Sequence, residues 1–436
     1  MMATNQHVNK VQYGGNTLID LTGDDVQRSD VRAGVVFHLP SGEQTTGTGS
    51  GGGGVGIHQD QDGYLVLDPS GDGGGDGNPV AVQKQINFVD YDGAIRYSYT
   101  AAEFAELEEL PPNPTHEGKV AQGWNWTLAQ ISAQLTDCPD GDVWVGQQYT
   151  TTDGKTHIRI VMPSGVPDSL RIFNIRFNQS DAYGVQVDWG DSSELESHSS
   201  TSQSLDHMYA SPGVYDIALD VVSGTISFPY AIFRQDDIVR NRGRIIDIAF
   251  GNGITSFGEY VLYVIYSHFT VSVPSGISSS GYYMHGSSYG LTTSIISSGT
   301  TSVAERMYRY GYGLSMVSIP SGVTSIGLNA FYENYGLRSV TIPSGVTSIG
   351  DNAFVSCHSL VSISIPSSVS SIGSSAFSGC TGMRAYHFRA TTPPTLGSSA
   401  FSSIPSDCII YVPSASVNSY KSATNWSSYS SYIQGE

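Results

Sequence analysis

Charge is what this sequence has least of. Only 14% of its 436 residues are charged, against about 25% in an ordinary globular chain, and bases are the scarcer kind, 20 Lys and Arg facing 39 Asp and Glu. The resulting net charge of −19 leaves no basic patch for a phosphate backbone, so nucleic acid is not an expected partner. Four cysteines, Cys138, Cys357, Cys380 and Cys408, are too few and too scattered for a disulfide scaffold, and none stands in the CxxC spacing of a zinc site. Hence no metal and no cofactor is expected. No run approaches the ~18 apolar residues of a membrane span. The start, MMATNQHVNKVQYGG, lacks a charged-then-apolar leader, and the end, SSYSSYIQGE, lacks a hydrophobic tail. The chain is therefore expected to be made without export and without an anchor. Low charge beside 39% hydrophobic residues excludes a largely disordered chain, and the length predicts two to four domains.

What is present is glycine, serine and tyrosine, with a lopsided charge. Residues 250–436 hold six acids (Glu259, Glu305, Glu333, Asp351, Asp407, Glu436) and six bases (Arg306, Arg309, Arg338, Arg384, Arg389, Lys421). The whole −19 therefore lies before residue 250, which suggests two pieces with different physical tasks. A neutral, tyrosine-rich half contacts sugars or other surfaces without long-range repulsion.

Self-similarity is the strongest signal. IPSGVTSIGLNAF (319–331), IPSGVTSIGDNAF (342–354) and IPSSVSSIGSSAF (365–377) recur in register, with weaker copies at 251–258, 273–281 and 297–303 and a one-residue-shifted copy at 392–401. That makes roughly seven coils, within the period of leucine-rich repeats. Within a coil, Ser339-Val340-Thr341-Ile342 predicts a parallel strand ended by Pro343, Val346 and Ile349 turn inward, Gly350 permits a tight corner, and Ala353 and Phe354 fill the next side. A single coil cannot bury these groups, so neighbours must stack. Residues from about 245 to 408 resemble the BspA-like leucine-rich repeat family, and 409–436 look like the cap that closes such arrays. The resemblance implies a surface or adhesion role rather than catalysis.

The stretch 185–224 alternates apolar and polar residues between turns, and its Trp189-Gly190-Asp191 and His207-Met208-Tyr209…Pro212-Gly213-Val214-Tyr215 phrases resemble a PKD-type β-sandwich, with Ser192 where that family usually has glycine. Residues 80–163 predict a compact α+β module: a hairpin around Asp92-Gly93, a helix AAEFAELEEL capped by Thr100, a second helix near 126–135, and strands near 143–150 and 156–162. Its phrase NPTHEGKVAQGWNWTLAQ looks like a module of gut bacteria and their phages. Residues 8–48 resemble the start of many phage tail and structural proteins. The Gly-rich stretch 49–79 predicts a linker, whose patch Tyr64-Leu65-Val66-Leu67 is suited to pairing with another subunit. Its Asp60–Gly63 and Asp72–Gly77 phrases fall short of calcium loops.

The expected fold is thus multidomain and mainly β: a virion-docking segment (1–48), a Gly-rich linker (49–79), an α+β module (80–163), a PKD-like β-sandwich (164–226), a leucine-rich-repeat solenoid (227–408) and a C-terminal cap (409–436). The candidate ligand-binding residues are Tyr266, Tyr289, Tyr312 and Tyr335, one per coil at one position, followed by His358 and Thr381. Such a column is either a recognition strip or a ladder that stabilises stacking. Tyr260, Tyr282, Tyr283, Tyr308, Tyr310 and Tyr332 crowd the same region. Cys357 and Cys380, one repeat apart, predict stacked buried thiols. No HExxH, no Walker loop and no GxSxG elbow between strand and helix is expected, the acidic pair Glu108-Glu109 is assigned to a solvated helix, and His198 and His207 to sandwich loops. The chain reads as a non-enzymatic structural virion protein of a tailed phage. Its expected role is a tail fibre or receptor-binding protein for bacterial surface glycan or protein, docked on other virion proteins and possibly homo-oligomeric. A capsid decoration or head fibre and a bacterial cell-surface adhesin are the alternatives, and turnover of host-wall polysaccharide would mark an enzyme.

Overall fold

The computed structural model describes residues 10–13, 16–20, 36–38, 44–46, 56–59, 65–68, 85–139, 142–164, 171–228, 232, 245–263, 270–277 and 281–436. The chain divides into two compact units, Met1–Val82 and Gln83–Glu436. The first unit contains three antiparallel pairs: β1 (Lys10–Tyr13) with β2 (Asn16–Asp20), β3 (Val36–His38) with β4 (Gln44–Thr46), and β5 (Gly56–Gln59) with β6 (Leu65–Asp68). Strand β6 overlaps the patch expected to pair with another subunit, and within this chain it pairs with β5, Leu65 opposite Gln59. The Asp60–Gly63 and Asp72–Gly77 phrases lie outside the described residues.

The second unit begins with a four-stranded sheet in the order β8 (Ile95–Thr100), β7 (Gln85–Val89), β10 (Val143–Thr151), β9 (Lys119–Trp124). Gly93 takes the left-handed φ of 87° that the β7–β8 turn requires. Thr100 and Glu103 form a reciprocal capping box on α1 (Ala101–Ala105), and Thr127 with Gln130 does the same on α2 (Leu128–Asp137). Helix α1 stops at Ala105, well short of the expected Leu110. Glu106, Glu108 and Glu109 would crowd acid onto a helix C-terminus, where the dipole disfavours it, so Glu108-Glu109 lie beyond the helix. Ile86, Phe88, Phe104, Trp126, Ile131, Val143 and Val145 form this module's own core.

Next comes a pair of sheets over one core. One sheet contains β14 (Glu196–Ser197), β13 (Val185–Asp188), β16 (Gly213–Val221), β11 (Thr156–Met162), β18 (Ile245–Ala249) and β20 (Thr270–Ser272), in that order. The other contains β15 (Ser202–Met208), β12 (Ile172–Gln179), β17 (Ile226–Phe228) and β19 (Ile254–Phe257). Strand β11, expected in the α+β module, hydrogen-bonds to β16 and β18 instead. Trp189 and Tyr209 are fully buried, the Tyr209 hydroxyl donating to the Trp189 carbonyl at 2.9 Å. His207 lies on β15 rather than in a loop, stacked on Trp189 with Nε2 2.7 Å from Asp191. Ser192 takes φ 69°, so serine adopts the left-handed turn where glycine was expected.

Both sheets run on into the repeats. β18 pairs in parallel with β20, and β17 with β19, so the first strands of the solenoid are edge strands of the two-sheet unit. Two parallel ladders follow. One has β21 (Thr293–Ile295), β23 (Met316–Ser318) and β25 (Ser339–Val340), and the equivalent strands β27 (Ser362–Ile365), β29 (Ala385–Phe388) and β31 (Ile409–Val412) continue it. The other has β22 (Ser302–Val303), β24 (Ser325–Ile326), β26 (Ser348–Ile349), β28 (Ser371–Ile372) and β30 (Thr395–Leu396). Register keeps the repeat, Ser325 opposite Ser348 and Ser348 opposite Ser371, and slips by one at Ser371 opposite Thr395 as the shifted last copy predicts. Ile342, Val346, Ile349, Ala353, Phe354 and Leu360 of one coil are all buried. Gly350 does not use a positive φ. A Cβ there would lie 2.7 Å from the Gly327 carbonyl carbon, so glycine is needed for close stacking rather than for a corner. The far end is closed by α3 (Val417–Ser422), by β32 (Ile433–Gly435) paired to β31, and by Trp426, whose Nε1 donates to Pro394 O at 2.8 Å.

The α+β module packs against the coils. It lies along the proline corners of successive coils. Proline has no amide, so the carbonyl before it and the amide after it need other partners. Trp126 Nε1 donates to Ile319 O at 2.9 Å. Gln134 takes both groups of one corner, donating to Ile342 O at 2.9 Å and accepting from Ser344 N at 2.6 Å. Gln122 accepts from Ser275 N at 2.7 Å, and Asp137 from Ser367 N at 3.0 Å. Asn125 serves the proline-less coil through Ile296 O and the neighbouring Ser318 hydroxyl.

Candidate functional site

Each coil makes its outer turns with two left-handed residues four apart: Tyr283 and Ser287, Arg306 and Tyr310, Asn329 and Glu333, Asn352 and Ser356, Ser375 and Gly379. The double reversal points one residue inward and another outward. Inward, His285, Tyr308, Phe331, Phe354, Phe377 and Phe401 stack as a buried column with centroids 5.0–5.8 Å apart. Tyr308 thus belongs to the core, not to the surface crowd, and its register with Phe331 and Phe354 was the available signal. Backbone bonds between turns, such as Tyr308 N to Ala330 O and Tyr310 N to Tyr332 O, fix the coil spacing.

Outward, the same spacing sets the candidate residues in contact. Tyr289 and Tyr312 meet with centroids 5.1 Å apart, Tyr312 stacks on Tyr335 at 4.9 Å, and Tyr335 stacks on His358 at 5.0 Å. Thr381 continues the line, its hydroxyl 3.1 Å from His358 Nδ1. Tyr289 keeps 41% and Tyr335 38% of their surface exposed. The column therefore stacks and faces outward at once. Tyr266 lies outside the described residues. Glu333 organises the phenols, accepting from Tyr335 at 2.7 Å and from Tyr312 at 3.4 Å. The Glu333 bond raises the Tyr335 pKa well above the ordinary phenol value, and burial followed by Glu333 raises that of Tyr312. Both stay neutral, with hydroxyls bonded to Glu333 and ring faces stacked within the column, so the rings present their edges outward.

Beside this column is a cluster that the sequence reading saw only as tyrosines. The Arg309 guanidinium lies 4.5 Å from the Tyr310 ring, 5.0 Å from Tyr332 and 5.9 Å from Tyr283, donating to the Tyr283 and Tyr310 hydroxyls. Arg306 lies over Tyr282, donates to its hydroxyl at 2.7 Å and pairs with Glu305. Tyr260 stacks on Tyr283 with planes 9° apart. Arg306, Arg309 and Glu333 were missed because charged residues here do not repeat from coil to coil. The arrangement offers aromatic edges beside a cation, Arg309, and an acceptor, Glu333, which suits recognition of a polar surface.

Other constellations are structural in form. Asp90 is wholly buried against His116 (2.6 Å) and Arg96 (2.8 Å); burial raises its pKa, but those bonds outweigh it and the net shift is downward. Gly286–Gly290 does spell G-x-S-x-G, with Ser288 at the nucleophile's place. Ser288 is fully buried within a solenoid turn, its hydroxyl donating to Leu262 O, and no helix follows it, so this is no nucleophile elbow. Cys357 and Cys380 are buried free thiols, each bonded to a carbonyl of the previous coil, Phe331 O and Phe354 O. Among the described residues no three His, Cys, Asp or Glu side chains gather as a metal site, and no helix is long and apolar enough to cross a membrane.

Comparison with known proteins agrees on the repeats. Residues 236–360 and 301–430 match the model of the BspA type leucine rich repeat region, in six copies. Solved structures similar to this chain include a leucine rich repeat protein of T. pallidum (15% identity, 49% of this chain and 90% of that one, TM-score 0.28). Another is a leucine-rich repeat protein of Bacteroides ovatus (19% identity, 45% and 54%, TM-score 0.31). A third is a leucine rich cell surface protein of Faecalibacterium prausnitzii (21% identity, 42% and 76%, TM-score 0.18). The chain spans about half of the Bacteroides ovatus protein. No curated protein matches it.

Proposed function

We propose that this chain is a non-enzymatic adhesion protein that binds a bacterial surface glycan or protein through the tyrosine edge of its leucine-rich repeats. One observation carries the reading: Tyr289, Tyr312, Tyr335 and His358 form an unbroken ring column at the surface, while the strand corners of the same coils are occupied by the chain's own α+β module. Tyrosine supplies rigid contact area at low entropic cost, and repetition of weak contacts gives avidity. The finer reading is a structural virion protein of a tailed phage, a tail fibre or receptor-binding protein, with residues 1–48 docking on other virion proteins and 164–226 acting as a PKD-like element. It rests on the resemblance of the N-terminal phrases. The alternatives are a capsid decoration protein and a bacterial cell-surface adhesin, the latter favoured by the BspA-type repeat match itself. Antibody against residues 250–436, applied to purified particles under the electron microscope, separates them. Label at the tail tip supports receptor binding, label over the capsid supports decoration, and absence from particles with label on cells supports the cell-surface adhesin.

A further inference from the structure

Arg309 is a guanidinium among three tyrosine rings. The two bonds its Nη atoms make go to neutral phenols, and its Nε is buried without a partner. No carboxylate pairs with it among the described residues, whereas Arg306, one turn position earlier, is matched by Glu305. Guanidinium groups held beside aromatic faces with donors to spare are suited to planar carboxylates. A second observation marks the same spot. Tyr283, Arg306 and Tyr310 adopt left-handed backbone at positions where later coils use Asn329, Asn352 and Ser375, or Glu333, Ser356 and Gly379. A bulky residue in that conformation costs about 1–2 kcal/mol, and such cost is retained at sites where the side chain is needed. All three of these residues, with Tyr332, surround Arg309 or continue the cluster around it.

Resting on the reading of the tyrosine edge as a binding face, we infer that its ligand is an acidic saccharide whose carboxylate pairs with Arg309 while its sugar ring lies against the neighbouring tyrosines. Glu333, which accepts from Tyr312 and Tyr335, takes no part in holding the charge. It anchors the phenols and disfavours a second carboxylate there, so one charged ring bracketed by neutral ones fits best.

The test uses the full chain and two probes that differ only in charge: a neutral oligosaccharide carrying a single galacturonate ring, and the same oligosaccharide with that carboxyl methyl-esterified. Calorimetric titration is expected to show the acid form binding at least about tenfold more tightly than the ester. Arg309→Gln is expected to abolish that difference, so that acid and ester bind alike. Arg309→Lys keeps the charge but not the fork, and it is expected to fall between the two, which keeps the test sound should the glutamine variant unfold. Equal binding of acid and ester, or a preference that survives Arg309→Gln, overturns the inference. If neither probe separates the variants yet Tyr312→Ala weakens attachment to bacterial cells, the acidic-ligand inference fails and the adhesive reading stands. If Tyr312→Ala leaves attachment unchanged as well, both fail.

Discussion

His285 holds the place in the inner ring column that Tyr308 and the phenylalanines hold in later coils. It stacks on Tyr308 with planes 2° apart, among Phe257, Val273, Ile277, Met284 and Met307, and its Nδ1 finds no partner. Burial drives its pKa down to about 3. A folded-state pKa below the unfolded value of about 6.5 means that the unfolded chain takes up the proton first as pH falls. Stability then declines by about 1.4 kcal/mol per pH unit below about 6.5, until the folded pKa is reached. His285→Phe is expected to flatten that acid limb and raise the melting temperature at pH 5; an unchanged acid limb would refute the assignment. His157 works with the opposite sign. Its bond to Asp216, helped by Asp153, raises its pKa, so its stabilisation is present below about 6.5 and fades as pH rises through the folded value. At the left-handed positions a second residue-scale outcome follows. Tyr283→Asn relieves about 1–2 kcal/mol of backbone cost and loses ring contacts of about 0.5–1.5 kcal/mol. Chemical unfolding is expected to change by less than about 1 kcal/mol, while attachment to bacterial cells falls. A large loss of stability would make Tyr283 merely structural.

At the scale of elements, the coils were legible because a fixed period puts the same residue type in the same environment. Val346, Ile349, Ala353 and Phe354 are buried as their spacing implied. The cap of α1 at Thr100 was legible too, whereas the matching box of Thr127 and Gln130 on α2 was overlooked. Docking of the α+β module was not. Its partners lie up to 230 positions away and meet through side chains and backbone groups at proline corners, which leave no periodic trace. Gly146 is a close point of that contact: a Cβ there would come 2.6 Å from Ile295 Cγ2 and 3.1 Å from Ser318 Cβ. Gly146→Val is expected to lift the module, so that the amides of Ser344 and Ser367, which bond to Gln134 and Asp137, exchange with solvent much faster. The ladder from Ser325 to Ser371 should stay protected. Unchanged exchange at Ser344 and Ser367 would mean that the module does not cover these corners in solution.

In the second unit taken whole, one hydrophobic core runs from Ile158 through the coils to Ile433. The two-sheet part closes its first end and the Trp426 segment its last, which a solenoid requires because terminal coils lack one neighbour. Trp426→Ala is expected to cost about 3–5 kcal/mol and to deprotect β29 and β31 before β24 and β26; simultaneous loss everywhere would instead indicate a single cooperative unit. The sparse, balanced charge of residues 250–436 leaves this long edge free of strong repulsion from an approaching surface. The most direct measurement of the central claim is attachment of the purified chain to a panel of bacterial cells, with Tyr312→Ser and Tyr335→Ser combined and compared with the unaltered protein. The account predicts at least about a tenfold loss of attachment on the cells bound best, with the solenoid still folded by circular dichroism. Attachment undiminished by that pair would contradict it and leave the tyrosine column as a device for stacking coils alone.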